Sequence, residues 1–257
     1  MTTLVRTATA RGVATLTLDS PTNRNALSGA LIGQLLDALA AADADPAVRV
    51  VVLSHTGPAF CSGVDLAETE AARASGALPA ARMGELLQAV WEFPKPVLAR
   101  VGGPARAGGV GLLAAADIAV CTTDATFAFS EVRIGVVPAV ISAIVLPRLT
   151  SRAAAELFLT GEVFDGTRAE RTGLVTTAVP ATELDAAVDR YVAALLRAAP
   201  GALAGTKRLL HRPPLTTFSD NVAELTALSL TYFHSAEGIE GVTAFRQKRD
   251  PAWIPVD

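Results

Sequence analysis

Apolar residues along the chain follow two periods. "LVRTAT" and "VATLTLD" alternate every second position around "ARG", which predicts a β-hairpin from Leu4 to Asp19. Next, Leu31, Leu35, Leu36 and Leu39 fall on one helical stripe behind Ser28, a residue suited to an N-cap. "VRVVVLS" (Val48 to Ser54) is nearly continuous in apolar character, as in a strand covered on both faces. "LPAARMGELLQAVWEF" returns to helical spacing and is stopped by Pro94 and Pro96. "PVLARV", "DIAVCT" and "ATFAFSE" read as strands, with "LLAAA" as a helix between the first two. Strand, helix, strand, helix, strand from Val48 to Val120 predicts an α/β architecture. Beyond Ser151 the chain is mostly helical: "ELDAAVDRYVAALLRAA", "LAGTKRLLHR", "FSDNVAELTALSLTYFHS" and "EGIEGVTAFRQKR" are separate patterns. The last ends in basic residues that suit the helix dipole.

Composition narrows the class. Of 257 residues 51% are hydrophobic and 18% charged, so polar surface is thin for a free monomer and burial between subunits is expected. No apolar run reaches the roughly 20 residues of a membrane helix. The opening "MTTLVRTATARG" lacks the apolar core of a signal peptide, so a cytoplasmic location is expected. Cys61 and Cys121 give neither a disulfide framework nor a metal spacing, and no metal is expected. His211 and His234 sit in helical patterns that read as surface, again without metal spacing. A net charge of -3, without a basic patch interleaved with aromatics, argues against nucleic-acid binding.

Candidate chemistry centres on "GGPARAGGVG" (Gly102 to Gly111), where half of the residues are glycine. A phosphate loop needs lysine and then serine or threonine after its last glycine, and here Leu112 and Leu113 follow. A dinucleotide fingerprint fits poorly, since no acidic residue ends a second strand at the right place. A glycine turn made only for close packing is one remaining reading. An oxyanion site is the other, because the first turn of a helix offers free N–H groups backed by the helix dipole. "AFCSGVDL" (Ala59 to Leu66), another glycine loop after a buried strand, could supply a second donor.

"NRNAL", "AFCSGVDL", "RAGGVGLLAAADIAV", "FAFSEVRIGVVPAV" and "SAEGIEGVTAFRQKR" stand in the order found in the enoyl-CoA hydratase/isomerase (crotonase) superfamily. The chain resembles that superfamily over nearly its whole length. The resemblance implies an α/β spiral of repeated strand-strand-helix turns over residues 1–195. It also implies a C-terminal helical region, 196–257, that assembles homotrimers or dimers of trimers. The implied substrate is an acyl-CoA thioester, with CoA part of the substrate and no separate cofactor.

Carried over residue by residue, the resemblance makes the backbone N–H groups of Val64 and Gly108 oxyanion donors and Glu131 the proton carrier. Phe127, Phe129, Val132, Ile134 and Val136 surround Glu131 in sequence, apolar company that should raise its pKa. Without the resemblance, the plainer reading of Glu131 is a surface residue paired with Arg133. Arg24, Ala26, Ser62, Asp65 and Leu66, with Phe245 and Lys248 from the last helix, would contact CoA. Plain alternatives stand beside these: a turn residue for Arg24, an N-cap for Asp65, core for Phe245 and a helix-end charge for Lys248. Two-glutamate hydratases carry a second acid where this chain has Gly111. "SEVRIGVVPAVIS" is most similar to the single-glutamate branch that includes methylglutaconyl-type hydratases. Hydration of a 2-enoyl-CoA is the activity implied; double-bond isomerisation, or acyl-CoA binding with weak catalysis, is the alternative. Glu68 or Glu85 could stand in for the missing acid, and Leu78, Met83, Leu86 and Leu87 are expected to shape the acyl pocket.

Overall fold

The computed structural model describes residues 2–72, 79–212 and 218–255. The predicted hairpin is β1 (Val5–Ala10) and β2 (Val13–Leu18), paired antiparallel. α1 (Gly29–Ala44) follows, with the Ser28 hydroxyl accepting from the Leu31 N–H at 3.2 Å. Three strands then run parallel to β2 and to one another: β3 (Val50–His55), β4 (Val97–Val101) and β6 (Ile118–Thr122). The short β9 (Thr177–Val179) closes the sheet, whose order is β1-β2-β3-β4-β6-β9. Both faces are covered, which explains the unbroken apolar runs. Val51, Leu53, Val97, Ala99 and Cys121 face the main core; Val52, Leu98 and Val120 face Leu184 and Val188 of α8 (Leu184–Arg197).

A smaller sheet forms beside the first from short strands that come later in each turn of chain. β5 (Ala105–Arg106), β7 (Thr126–Ala128) and β8 (Phe164–Asp165) make it up, and Cys61 extends it by a single bridge to Ala105. Each turn of chain thus gives a strand to the large sheet, a short one to the small sheet, and then a helix. The helices are α2 (Leu66–Ala72) and α3 (Pro79–Trp91), then α4 (Gly108–Ala115), then α5 (Ala139–Val145) and α6 (Ser151–Thr160). This is the expected spiral. α7 (Gly166–Thr172), α9 (Pro200–Leu210), α10 (Phe218–Phe233) and α11 (Ala236–Gln247) complete the chain. Among the described residues no helix is long and apolar enough to cross a membrane.

Two expectations are corrected. "ATFAFSE" is a strand only from Thr126 to Ala128; Glu131 lies beyond it on a 3-10 turn, Ser130–Ile134. His211, expected on an exposed face, stacks on Trp91 with ring centroids 3.9 Å apart.

The C-terminal helices are tied to the core by an ion pair that sequence pattern does not reveal. Lys207 of α9 reaches Asp117 at 2.7 Å, and the same Asp117 oxygen accepts the Val97 N–H at 2.8 Å. The side chains are only 8% and 17% exposed, so removing one partner strands the other. Lys207→Ala should therefore cost about 3–5 kcal/mol in urea unfolding. Adding Asp117→Asn, which still accepts from Val97, should restore part of that loss.

Candidate active site

Three loops from successive turns of the spiral lie side by side, because the strands that precede them are neighbours. The first runs from β3 to Val64, the second from β4 to Gly108, and the third from β7 through Glu131. Leu27 bridges to Val64, with the Leu27 N–H bonded to Gly63 O at 2.7 Å and the Asp65 N–H to Leu27 O at 3.3 Å. Alternation along this extended segment turns the Val64 N–H to the opposite side. Between the first and second loops, the N–H groups of Phe60 and Arg106 bond Pro104 O and Cys61 O, each at 3.0 Å. The Ala107 N–H bonds Ala128 O at 3.0 Å and joins the second loop to the third.

Glycine permits this contact. A Cβ on Gly109 would stand 2.4 Å from Cys61 O, and one on Gly103 would stand 2.3 Å from Pro58 O. Gly63 adopts φ +89°, and a methyl there would stand 2.9 Å from Arg106 O and 3.3 Å from Gly108 N. Close packing and an oxyanion site are therefore not rival accounts of the glycine loop. Ala107 holds φ +49° and ψ -120°, a conformation that costs roughly 1–3 kcal/mol for a residue with a Cβ. It delivers Gly108 as the first residue of α4, where helix geometry leaves an N–H without an intrahelical acceptor. Among the described residues, neither the Val64 nor the Gly108 N–H donates to another protein group.

Glu131 follows in the third loop. Burial pushes its carboxyl above the ordinary carboxylate range, opposed by its own backbone N–H. Its Oε2 is buried with no partner among the described residues. It does not pair with Arg133, whose Nε donates to Thr160 O and Gly161 O at 3.0 and 3.2 Å. The apolar company expected around it is half right. Phe127 and Phe129 are fully buried, whereas Val132 and Ile134 face outward because the 3-10 turn replaces strand alternation, and Val136, beyond that turn, is exposed as well.

Gly111 is packed rather than open. A Cβ there would stand 2.5 Å from Ile141 Cγ2, 3.1 Å from Ile141 Cβ and 3.3 Å from Leu87 Cδ1. A glutamate would have to displace Ile141, a residue 30 positions later that no local motif connects to Gly111. Glu68 accepts the Gly29 N–H at 2.9 Å, and Glu85 makes an exposed pair with Arg82. Met83 covers Gly108: a Cβ on that glycine would stand 2.5 Å from the Met83 sulfur. Met83, Leu86 and Leu87 are buried, and Leu78 lies outside the described residues.

The remaining candidates divide into two groups. Arg24, Ala26, Ser62, Asp65 and Leu66 share one edge of the site. The Ser62 N–H bonds Arg24 O at 3.0 Å, and Asp65 Oδ1 caps α2 by accepting from the Ala67 and Glu68 N–H groups, both at 3.0 Å. Arg24 and Leu66 are exposed, while Ala26 is buried beside the Leu27 bridge. Phe245 on α11 and Lys248 at its C-cap stand apart; α11 packs on α10 and is fastened to α9 by Glu237 accepting the Gly201 N–H. Burial pushes the Cys61 thiol up to about 12, which leaves no thiolate for nucleophilic chemistry. Sequence inspection missed Asn25, a buried residue that locks the first loop: its Oδ1 accepts the Ser20 N–H, and its Nδ2 donates to Thr56 O and Ala59 O. A residue held at φ +55° inside "NRNAL" is not legible from one sequence.

Residues 8–255 match the enoyl-CoA hydratase/isomerase family, and the chain belongs to it. It is similar in structure to an enoyl-CoA hydratase of Mycobacterium smegmatis (TM-score 0.91, 34% identity, 98% of this chain and 99% of that one). Similarity in sequence is higher to an enoyl-CoA hydratase of Mycobacterium avium (47% identity, TM-score 0.75, 98% and 100% coverage). A carnitinyl-CoA dehydratase of Salmonella heidelberg is 32% identical over 248 residues, covering 93% of each chain.

The raised Glu131 titration has a consequence for stability. A carboxyl whose folded value lies above its unfolded one favours folding at pH below the unfolded value, ordinarily 4.5, and that benefit is lost as pH rises through the folded value. Glu131→Gln should therefore raise the melting temperature at about pH 8 and raise it less at about pH 5. An equal shift at both would mean that the carboxyl does not titrate abnormally.

Proposed function

We propose that the protein hydrates trans-2-enoyl-CoA thioesters, with the N–H groups of Val64 and Gly108 holding the thioester oxygen. The observation that carries this reading is the pair of uncommitted backbone donors flanking Gly63, with a buried carboxyl on the adjoining loop. As water adds to C3 of the substrate, electrons move onto the thioester oxygen and an enolate forms. Donors already in place stabilise that charge without reorganising, each worth about 2.7–4 kcal/mol. Glu131 takes a proton from the attacking water and returns it to C2, so the product gains one hydroxyl and one hydrogen. One carboxyl can serve both transfers, so an acid at position 111 is not required. A raised titration suits a group that both accepts and gives a proton.

CoA would lie along Arg24, Ala26, Ser62, Asp65 and Leu66, with the Arg24 guanidinium on a phosphate. Phe245 and Lys248 would reach CoA from a neighbouring subunit. Phe245 is 86% exposed in the single chain, and Phe233, Ile239 and Val242 add apolar surface on the same helices, as a trimer contact requires. No metal or separate cofactor takes part in this scheme.

Packing at Gly111 favours a second reading, Δ3-Δ2 isomerisation, because Ile141 and Leu87 leave Glu131 alone and a proton shift needs only one base. An ultraviolet assay separates the two. Loss of the conjugated thioester absorbance with trans-2-enoyl-CoA esters, reduced by about 10²–10⁴-fold in Glu131→Gln, is the expected result. Gain of that absorbance from 3-enoyl-CoA, without loss from the first set, would replace hydration by isomerisation. Tight CoA-ester binding with neither signal would leave an acyl-CoA-binding protein.

A further inference from the structure

The geometry points to His55 as a positioning residue that clamps the first two loops together through its neutral ring, so that the Val64 and Gly108 donors stay in register only while His55 is unprotonated. This rests on the reading of those N–H groups as an oxyanion site. His55 ends β3, at the root of the loop that leads to Val64, and its Nε2 accepts the Gly102 N–H at 3.0 Å, at the root of the loop that leads to Gly108. An acceptor nitrogen carries no proton, so this bond fixes the tautomer with hydrogen on Nδ1. The ring is set by an edge contact with Phe60, centroids 5.7 Å apart and planes at 82°, and among the described residues its buried Nδ1 makes no hydrogen bond. A ring oriented by packing and spending its one acceptor on a neighbouring loop is a clamp. Protonation would turn Nε2 into a donor facing another donor, and the loops would part where they begin.

Charged groups on the flanking elements oppose protonation or are already engaged. Arg100 of β4 repels an imidazolium, while Asp185 of α8 is bound to Arg100 at 2.6 Å. Asp19, at the end of β2, accepts from the Thr56 hydroxyl at 2.7 Å and pairs with Arg6. Burial, the largest cause, lowers the His55 titration below 6.5, and carbonyls of Thr56, Ala59 and Gly57 pull it back. The clamp is thus closed at neutral pH and opens as pH falls through the lowered value.

The test is His55→Gln, whose amide oxygen can accept from Gly102 but does not titrate. Two readouts are followed from about pH 8 down past the pH at which the His55 ring protonates by ¹⁵N NMR: kcat and KM for a trans-2-enoyl-CoA, and amide exchange of Gly102 corrected for its intrinsic pH dependence. In the wild type, Gly102 exchange should accelerate as the His55 ring protonates by ¹⁵N NMR. Below the titrations of both groups kcat, not KM, should fall by about two decades per pH unit, one from Glu131 and one from His55. In His55→Gln the exchange should be flat and the fall about one decade per unit. A wild-type Gly102 amide indifferent to His55 protonation would overturn the clamp, as would an unchanged acid limb in His55→Gln. Should the wild type turn over no enoyl-CoA at any pH, the proposed function fails, and amide exchange still decides the clamp, even if the variant does not fold.

Discussion

Everything at this site depends on two loops approaching until backbone touches backbone. The segment from Pro58 to Val64 lies against Gly103 to Gly109 so closely that a single methyl on Gly103 or Gly109 would meet a carbonyl oxygen. That contact brings with it the Phe60 and Arg106 hydrogen bonds, the strained Ala107 and the placement of Gly108 at the head of α4. The large sheet supplies rigidity by burying both of its faces. The small sheet then sets three loops from three turns of the spiral next to one another. A catalytic arrangement of backbone donors needs this kind of scaffold, because no side-chain rotation can correct a misplaced N–H.

The arrangement carries costs consistent with function. Ala107 occupies a conformation that glycine would hold more cheaply, and Glu131 keeps a carboxyl oxygen buried without a partner among the described residues. Neither feature contributes to stability. Both are maintained by surrounding packing, including the fully buried Phe127 and Phe129 and the apolar α4. Strain and an unsatisfied polar atom on adjoining loops suggest a site in which chemistry competes with stability.

Much of the fold was legible because it rests on local pattern. Apolar runs and proline stops marked the parallel strands and the helices between them, and Ser28 and Asp65 announced caps that the structure contains. The glycines marked where backbones meet. Illegible features were those that depend on residues far apart in sequence or on an irregular turn. Ile141 filling the space at Gly111, Lys207 reaching Asp117 and His55 holding Gly102 have no spacing rule that would reveal them. The 3-10 turn at Glu131 comes directly after a strand, so the alternation that predicts inward and outward residues fails there, and Val132 and Ile134 turn outward.

In the proposed function the backbone donors at Val64 and Gly108 polarise a thioester oxygen. Isotope-edited infrared spectroscopy of a bound acyl-CoA labelled with ¹³C at the thioester carbonyl tests it directly. The carbonyl stretch should move to lower frequency on binding than in water. That shift should shrink in Gly63→Ala, where the added methyl meets Arg106 O and crowds Gly108 N. A bound carbonyl that absorbs as it does in water, in a complex saturated with ligand, would contradict the account.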